Sequence, residues 1–498
     1  MQRVLYPALA VFIAGLSGCA GSLPERGNHD NVTCAQRLSD VDRLVDDRAV
    51  HSASASRVAG YSFLRANRNS VLMARQLDAD GDGQVDRVDQ WDALISQMRG
   101  LDRDARQSEI ANLPAASGVS FDAVETCAND MAASLTPDQY STLLPAIFVP
   151  DDYLDFQRIA GLYPITAFPA YFGYEGWKQE NFASFEDEDA MPSGPWRDYA
   201  VAAPDTGRAN LADMDRNAFG QLRISDAELK QLAQAYAPIF RVRAGSAGSG
   251  GSALSESDKI GRPVLPSRDA LSEIDTENPT VYYRLSHTYF AGRWRPQIVY
   301  EIWFPERPAQ SRFDILAGHL DAVIWRVTLD DAGVPLIADT IHGCGCYHMF
   351  FPSNALKRIS APEDHDIRET AEMPAGYVAS STLSHPVLWI DKTSHYLLNV
   401  TDLATDDKVA TEMTKHTAIL RRAQDLDHLP LQNGQGTASL YDEDGFVPGT
   451  ERMERFILWP MGVDKPGAMR QWGHHATAFV GRRHFDEAAL LDRYFVKH

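Results

Sequence analysis

The sequence predicts an α+β protein: a helical N-terminal domain, then a large, mainly antiparallel β-rich domain with peripheral helices. Two changes of pattern carry this. Up to about residue 134 apolar residues recur at helical spacing, as in Leu38, Val41, Leu44 and Val45, and again in Trp91, Leu94, Ile95 and Met98. From about residue 278 the period becomes two, through Val281–Phe290 and Gln297–Phe304. A third observation is composition. In 498 residues, 44% hydrophobic and 10% aromatic content supplies a real core and room for two or three domains.

The first element is a charged head, Arg3, followed by an apolar run from Val4 to Gly15 that is too short to span a bilayer. It ends in Leu16-Ser17-Gly18-Cys19. This segment resembles a bacterial lipoprotein signal peptide, departing from it in Pro7 and in having a single basic residue. The resemblance implies cleavage after residue 18 and lipidation of Cys19, with the membrane as partner. Ala20 follows where inner-membrane lipoproteins often carry Asp, which implies the outer membrane, on its periplasmic or surface side. Residues 19–32 read as a polar tether punctuated by Gly and Pro.

Residues 33–145 form the expected helical domain. Of the five cysteines, Cys19 is taken by lipidation, and Cys344 and Cys346 share one short motif, so Cys34 and Cys127 are the expected disulfide. The formal net charge of −21 opposes nucleic acid and anionic head groups.

Within this domain, Asp78-Ala-Asp80-Gly-Asp82-Gly-Gln84-Val-Asp86-Arg-Val-Asp89 sets oxygen ligands at the offsets of a twelve-residue calcium loop, with Gly83 at the sharp turn. Asp89 stands where an EF-hand has Glu. That variation, with the helix start after it, resembles a dockerin loop. The resemblance implies calcium held by Asp78, Asp80, Asp82, the Gln84 carbonyl, Asp86 and Asp89. Dockerins carry two such loops and this chain shows one, so cohesin binding is not implied.

Residues 146–277 read as a connecting region. The aromatic cluster Phe168–Tyr174 and the acidic stretch Glu186–Asp189 suggest a wrap without regular structure. A helix is expected at Ser225–Ala237, where Ser225 and Glu228 match a capping box, then a strand at Pro238–Arg243. The Gly/Ser run 244–252 lacks the Lys of a phosphate loop and the helix of a nucleophile elbow, and reads as a plain loop.

Residues 278–498 form the β-rich domain. One hairpin is expected about Ala291-Gly292-Arg293 and another about Asp330–Gly333. Further strands are expected at Pro386–Ile390, Tyr396–Val400, Arg455–Trp459 and Ala476–Val480. The domain carries His342-Gly-Cys344-Gly-Cys346-Tyr-His348, whose thiolates and imidazoles suit zinc or copper. In an extended strand His342 and His348 would lie ~20 Å apart, so one four-ligand site needs the chain to fold back through Gly343 and Gly345. A Cys344–Cys346 disulfide and a pair of small buried thiols are the competing readings.

Three functions follow from these elements. One is an outer-membrane lipoprotein binding calcium and a transition metal. Another is a metal-dependent hydrolase of envelope material, with His475 or His385 completing the site and Asp321 as base. The third is a scaffold that uses calcium and the disulfide for stability alone.

Overall fold

The computed structural model of the chain describes residues 29–78, 81, 84–187, 190–203, 210–244, 255–360, 366–405 and 413–498. Cys19, Asp80, Asp82 and nearly all of the Gly/Ser run lie outside them.

Four helices build the N-terminal region: α1 (His29–Asp47), α2 (Arg68–Gln76), α3 (Val88–Asn112) and α4 (Phe121–Ala133). The periodic residues meet as expected, with Leu38, Trp91, Leu94 and Met98 in one core alongside Phe63 and Ala128. A short hairpin that the periodicity did not announce, β1 (Ser56–Val58) and β2 (Tyr61–Ala66), threads through this core. It delivers Arg65, fully buried, to both oxygens of Glu109 at 2.7 and 2.8 Å and to Asp102 at 3.4 Å. Burial opposes ionisation of Glu109, and Arg65 overcomes it, holding the carboxyl well below its ordinary range. The Cys34–Cys127 disulfide forms and ties α1 to α4.

Among the described residues, ten strands then make one mixed sheet: β3 (Trp196–Val201), β4 (Ile239–Arg243), β5 (Thr280–Phe290), β6 (Arg293–Arg307), β7 (Gly318–Leu329), β8 (Pro335–His342), β9 (Met349–Pro352), β10 (Pro386–Ile390), β11 (Leu397–Asp402) and β12 (Met413–Arg422). Their order is β9-β8-β7-β6-β5-β12-β3-β4-β10-β11. Both predicted hairpins are present, β5–β6 and β7–β8, and run on into β9 as a meander. Parallel pairing is confined to β12 with β5 and β3, and to β10 with β4, so the sheet is mainly antiparallel.

The centre of the sheet is covered on both faces, which is why β6 and β7 read as nearly continuous apolar runs. One face packs Tyr300, Ile302, Trp325 and Val327 against Leu229, Leu232 and Tyr236 of the helix Asp226–Tyr236. The other packs Trp303 and Ala322 against Leu426 and Met469.

Three expectations are corrected. The aromatic segment forms regular structure: α5 (Asp155–Ala160) is followed by α6 (Tyr163–Asn181). Pro164 sits in the first turn of α6, where its missing N–H has no helical acceptor to lose, and Pro169 lies inside the helix. The segment expected as a strand at 455–459 is the short helix α8 (Arg455–Leu458) with a 3₁₀ turn after it. Within 476–480 the ladder amounts to one bridge, Ala476 with His484. The helix foreseen at Ser225–Ala237 is α7 (Asp226–Tyr236), with Ser225 and Glu228 in a reciprocal capping box. No described helix is long and apolar enough to cross a membrane.

The disulfide closes a separation of 93 residues. Replacing both cysteines with serine is expected to destabilise the N-terminal region by ~4–5 kcal/mol in the chain-entropy account. Calorimetry would show an earlier transition in the variant; an unchanged profile would contradict a stabilising bridge.

Candidate active site

The densest buried charge in the β-rich domain converges on Asp321 of β7, which pairs across the ladder with Phe304 of β6. One of its oxygens meets His395 Nδ1 at 2.8 Å. The other accepts from Arg452 Nη2 at 3.1 Å and from the Ala322 N–H at 3.0 Å. The Nδ1 of His342, at the end of β8, stands 3.6 Å from that second oxygen. His395 stacks on the Phe304 ring at 3.8 Å and brings its Nε2 to 3.7 Å from Asp258.

Burial alone would neutralise all these groups. For Asp321 it is overcome by Arg452, His342 and His395, which hold its carboxyl well below the usual range. For His395 it is overcome by the nearby Asp258 carboxylate and the hydrogen-bonded Asp321 carboxylate, and its pKa rises. For His342 burial wins over Asp321, and its pKa falls. Asp321 is therefore ionised at neutral pH, and the shifts favour the imidazolium form of His395 and the neutral imidazole of His342. Beyond the approach to Asp321, His342 makes no side-chain hydrogen bond among the described residues.

Backbone strain gathers at the same place. Of eight described non-glycine residues with positive φ, two adjoin this carboxylate, Leu320 (51°) before it in the chain and His395 (53°) bonded to it. Two lie one contact further out, Tyr347 (62°) against His342 and Thr393 (67°), whose N–H donates to Asp258. Such conformations cost about 1–3 kcal/mol each and persist where the surroundings over-determine them, commonly at functional sites.

The motif 342–348 folds back at its two glycines. The His342 N–H donates to the Cys346 carbonyl at 2.9 Å and the Gly345 N–H to the His342 carbonyl at 2.8 Å. Gly345 has φ +86°, and a Cβ on Gly343 would meet the Ala322 Cβ at 2.7 Å. This turn brings Cys344 and Cys346 together, both buried and unbridged. The hydrogen bond to Cys344, then burial, pushes the Cys346 thiol well above its ordinary range. His348 goes elsewhere: its Nε2 meets Asp339 at 2.8 Å, and burial pulls its pKa down to about 3. Asp339 and His342 are three residues apart on β8, hence on opposite faces. Among the described residues no group of three or more His, Cys, Asp or Glu side chains is placed to hold one metal ion.

The other sequence candidates scatter. His319 meets the Ser272 carbonyl at 2.8 Å and does not share a partner with Asp321. His475 is buried against Phe485, and His474 bonds Asp152 at 2.9 Å. In the calcium segment, Asp78, Gln84 and Asp86 lie between α2 and α3, and the Asp86 N–H closes on the Leu77 carbonyl at 3.1 Å. Asp89 is exposed, pairs with Arg87 and accepts the Gln90 N–H at 3.0 Å in the first turn of α3.

Beside the strained cluster opens a cavity of about 1210 Å³. Thr166, Gly173, Tyr174 and Trp177 of α6 form one wall, Ile457, Leu458 and Met461 another, and Arg307, Cys346, Tyr347 and Tyr396 also line it. Arg307 Nη2 donates to the Tyr396 hydroxyl at 3.0 Å, and that hydroxyl donates to Tyr347 at 2.8 Å. Tyr347 thus keeps its own proton to offer, with no acceptor among the described residues. Burial raises the pKa of both phenols, so both stay protonated donors. The His342 ring stands edge-on behind Tyr347 at 5.1 Å.

Arg307, His395, Tyr396, Asp258 and Arg452 are site residues that the sequence did not reveal. They come from separate segments, and a lone Tyr or Arg carries no signal of its partner. Comparison of the chain with known families, characterised proteins and solved structures finds no match.

Replacing Asp321 with Asn removes the carboxylate that Arg452 contacts and leaves His395 only the more distant Asp258. The expected loss of stability is about 3–5 kcal/mol. The part due to His395, whose folded pKa is raised, is fully present below about pH 6.5 and is lost as pH rises through that raised value. Urea melts at pH 6 and pH 9 check this: the gap between wild type and D321N should narrow at pH 9. A gap that widens would contradict the assigned charges.

Proposed function

We propose that this protein is a lipid-anchored envelope enzyme that hydrolyses an ester or amide of an amphiphilic substrate. What carries the reading is the gathering of four strained residues in and around the Asp321–His342–His395–Asp258 cluster, beside a cavity. A fold needs no such strain for stability alone. In this account Asp321 orients His342, and neutral His342 takes a proton from a water as that water attacks the substrate carbonyl carbon. The water is admitted past Tyr347, whose ring stands between His342 and the cavity. His342 then gives the proton to the leaving alcohol or amine as the ester or amide bond breaks. Negative charge then develops on the carbonyl oxygen, where the Tyr347 O–H donates. Arg307 strengthens that donor through Tyr396. Apolar walls from α6 and α8 accept the rest of the substrate.

The address in the outer membrane rests on the Leu16–Cys19 box. Calcium, in the same account, clips α2 to α3 through Asp78, Asp80, Asp82, Gln84, Asp86 and Asp89, away from the reaction. A second reading is favoured by the two adjacent buried thiols: Cys344 and Cys346 take zinc or copper, with His342 as a further ligand and without His348, which the fold commits to Asp339. Stoichiometric zinc or copper that disappears in Cys344→Ser/Cys346→Ser would support it.

Esters of p-nitrophenol from acetate to palmitate test the hydrolase. His342→Gln and Tyr347→Phe should each lower turnover by ~10²–10⁴, with melting temperature held within a few degrees. The wild-type rate should stay flat from about pH 6.5 to 10, because the His342 pKa lies below that window and the Tyr347 pKa above it. Wild-type rates in both variants would contradict the assignment.

Calcium at a hundred times its dissociation constant should stabilise the chain by ~2.7 kcal/mol. Scanning calorimetry with calcium and with chelator should differ for wild type and agree for Asp78→Ala. No calcium response in wild type would remove the clip.

A further inference from the structure

The side chains of the cavity rim that face away from the cavity are large and apolar. On α5 and α6 these are Phe156 (79% exposed), Ile159, Leu162, Ile165, Phe168 and Phe172 (70%). Ile165, Phe168 and Phe172 share one helix face, whereas Thr166, Gly173 and Trp177 turn to the cavity. From Ile159 to Tyr174 there is no charged residue. Across the mouth, Met453, Phe456, Ile457 and Trp459 are exposed beside α8, and Phe313 (84%) stands near them. Single exposed apolar residues are ordinary, but a gathered patch at a cavity mouth marks an interaction surface.

Charge and chain length choose the occupant. A net charge of −21 sets two copies of the chain against each other and offers nothing to an anionic surface. What remains is an uncharged apolar surface met by apolar contact alone. Helices with an aromatic and aliphatic face of this kind lie in the interfacial plane of a bilayer. The described chain begins at His29, ten residues after Cys19. Ten extended residues reach at most ~36 Å, so a body tethered through Cys19 stays at the membrane surface.

We infer that the α5–α6 face and the exposed residues around α8 dock on a phospholipid bilayer, so that the cavity opens onto the membrane and receives an acyl-bearing lipid. The identity of the cargo rests on the hydrolase reading, and the choice of a bilayer as occupant rests on the proposed lipid anchor at Cys19 but not on the hydrolysis.

Flotation with phosphatidylcholine vesicles tests it. The mature chain, residues 19–498, carrying Cys19→Ser and so without an acyl group, is compared with the same chain bearing Phe156→Ser, Ile165→Ser, Phe168→Ser and Phe172→Ser. None of the four lines the cavity, and all are exposed, so melting temperatures should agree. A smaller change, Phe156→Ser/Ile165→Ser, gives an intermediate measurement. The parent should float, with little change at 0.5 M salt, and the fourfold variant should partition at least tenfold less. Equal partition of the two chains would overturn the inference. So would a parent that stays off vesicles and sediments as a dimer which the four substitutions dissociate. Turnover of p-nitrophenyl acetate in solution separates the two proposals. Vesicle binding lost with turnover intact in the fourfold variant supports docking. Vesicle binding without turnover in the parent defeats the hydrolase and leaves docking standing.

Discussion

The ionised Asp321 carboxylate holds the functional end of the sheet together. It is fully buried, and its charge is tolerable only because Arg452 and His395 reach it from two other segments. Through these contacts β7, the turn at 391–396 and the segment before α8 are fixed to one point. Energy spent on Leu320, Tyr347, Thr393 and His395 is offset there, since breaking the ion cluster would leave buried charge unpaired. Such a cluster adds little net stability against an apolar replacement, but it specifies one arrangement of side chains. Positions of His342, Tyr347 and the cavity wall follow from it.

Much of the fold was legible because it is local. Each hairpin is announced by period-two runs on either side of a turn, and α7 by a Ser-x-x-Glu box that works as such. What failed to show was non-local or composite. Strand β4 was expected at Pro238–Arg243, but β3 lies in a region without alternation, and the parallel partners that place the two strands, β12 and β10, are far along the chain. Helix α6 contains two prolines and a dense aromatic cluster, both of which argue against a helix in isolation; Trp177 and Tyr174, packed towards Tyr347 and Tyr396, supply the tertiary reason. Around α8 the apolar residues resemble a strand, yet they serve a surface.

The site was half legible. A run with two glycines between His and Cys is unusual enough to single out, and both glycines are needed, one for its positive φ and one for the approach to β7. Reading the run as a set of metal ligands led to His348, which the alternation of the strand carries to Asp339 on the other face. Asp321 was expected as a base beside His475 or His385, but its neighbours in the structure, His395 and Arg452, are 74 and 131 residues away in sequence. No periodicity encodes such meetings; they come from the order of strands in the sheet and the return of the C-terminal segment across it.

The N-terminal region completes the account as a rigid support. Its disulfide and its buried Arg65–Glu109 pair stiffen a domain whose α3 reaches the β-rich domain, where Asn112 donates to the Asp427 carbonyl at 2.8 Å. The central claim is the charge state at Asp321, and ring ¹⁵N NMR of histidine-labelled protein reads it directly. At pH 7 the account predicts an imidazolium at His395, with both ring nitrogens protonated, beside a neutral His342. A neutral His395, or a protonated His342, would contradict it.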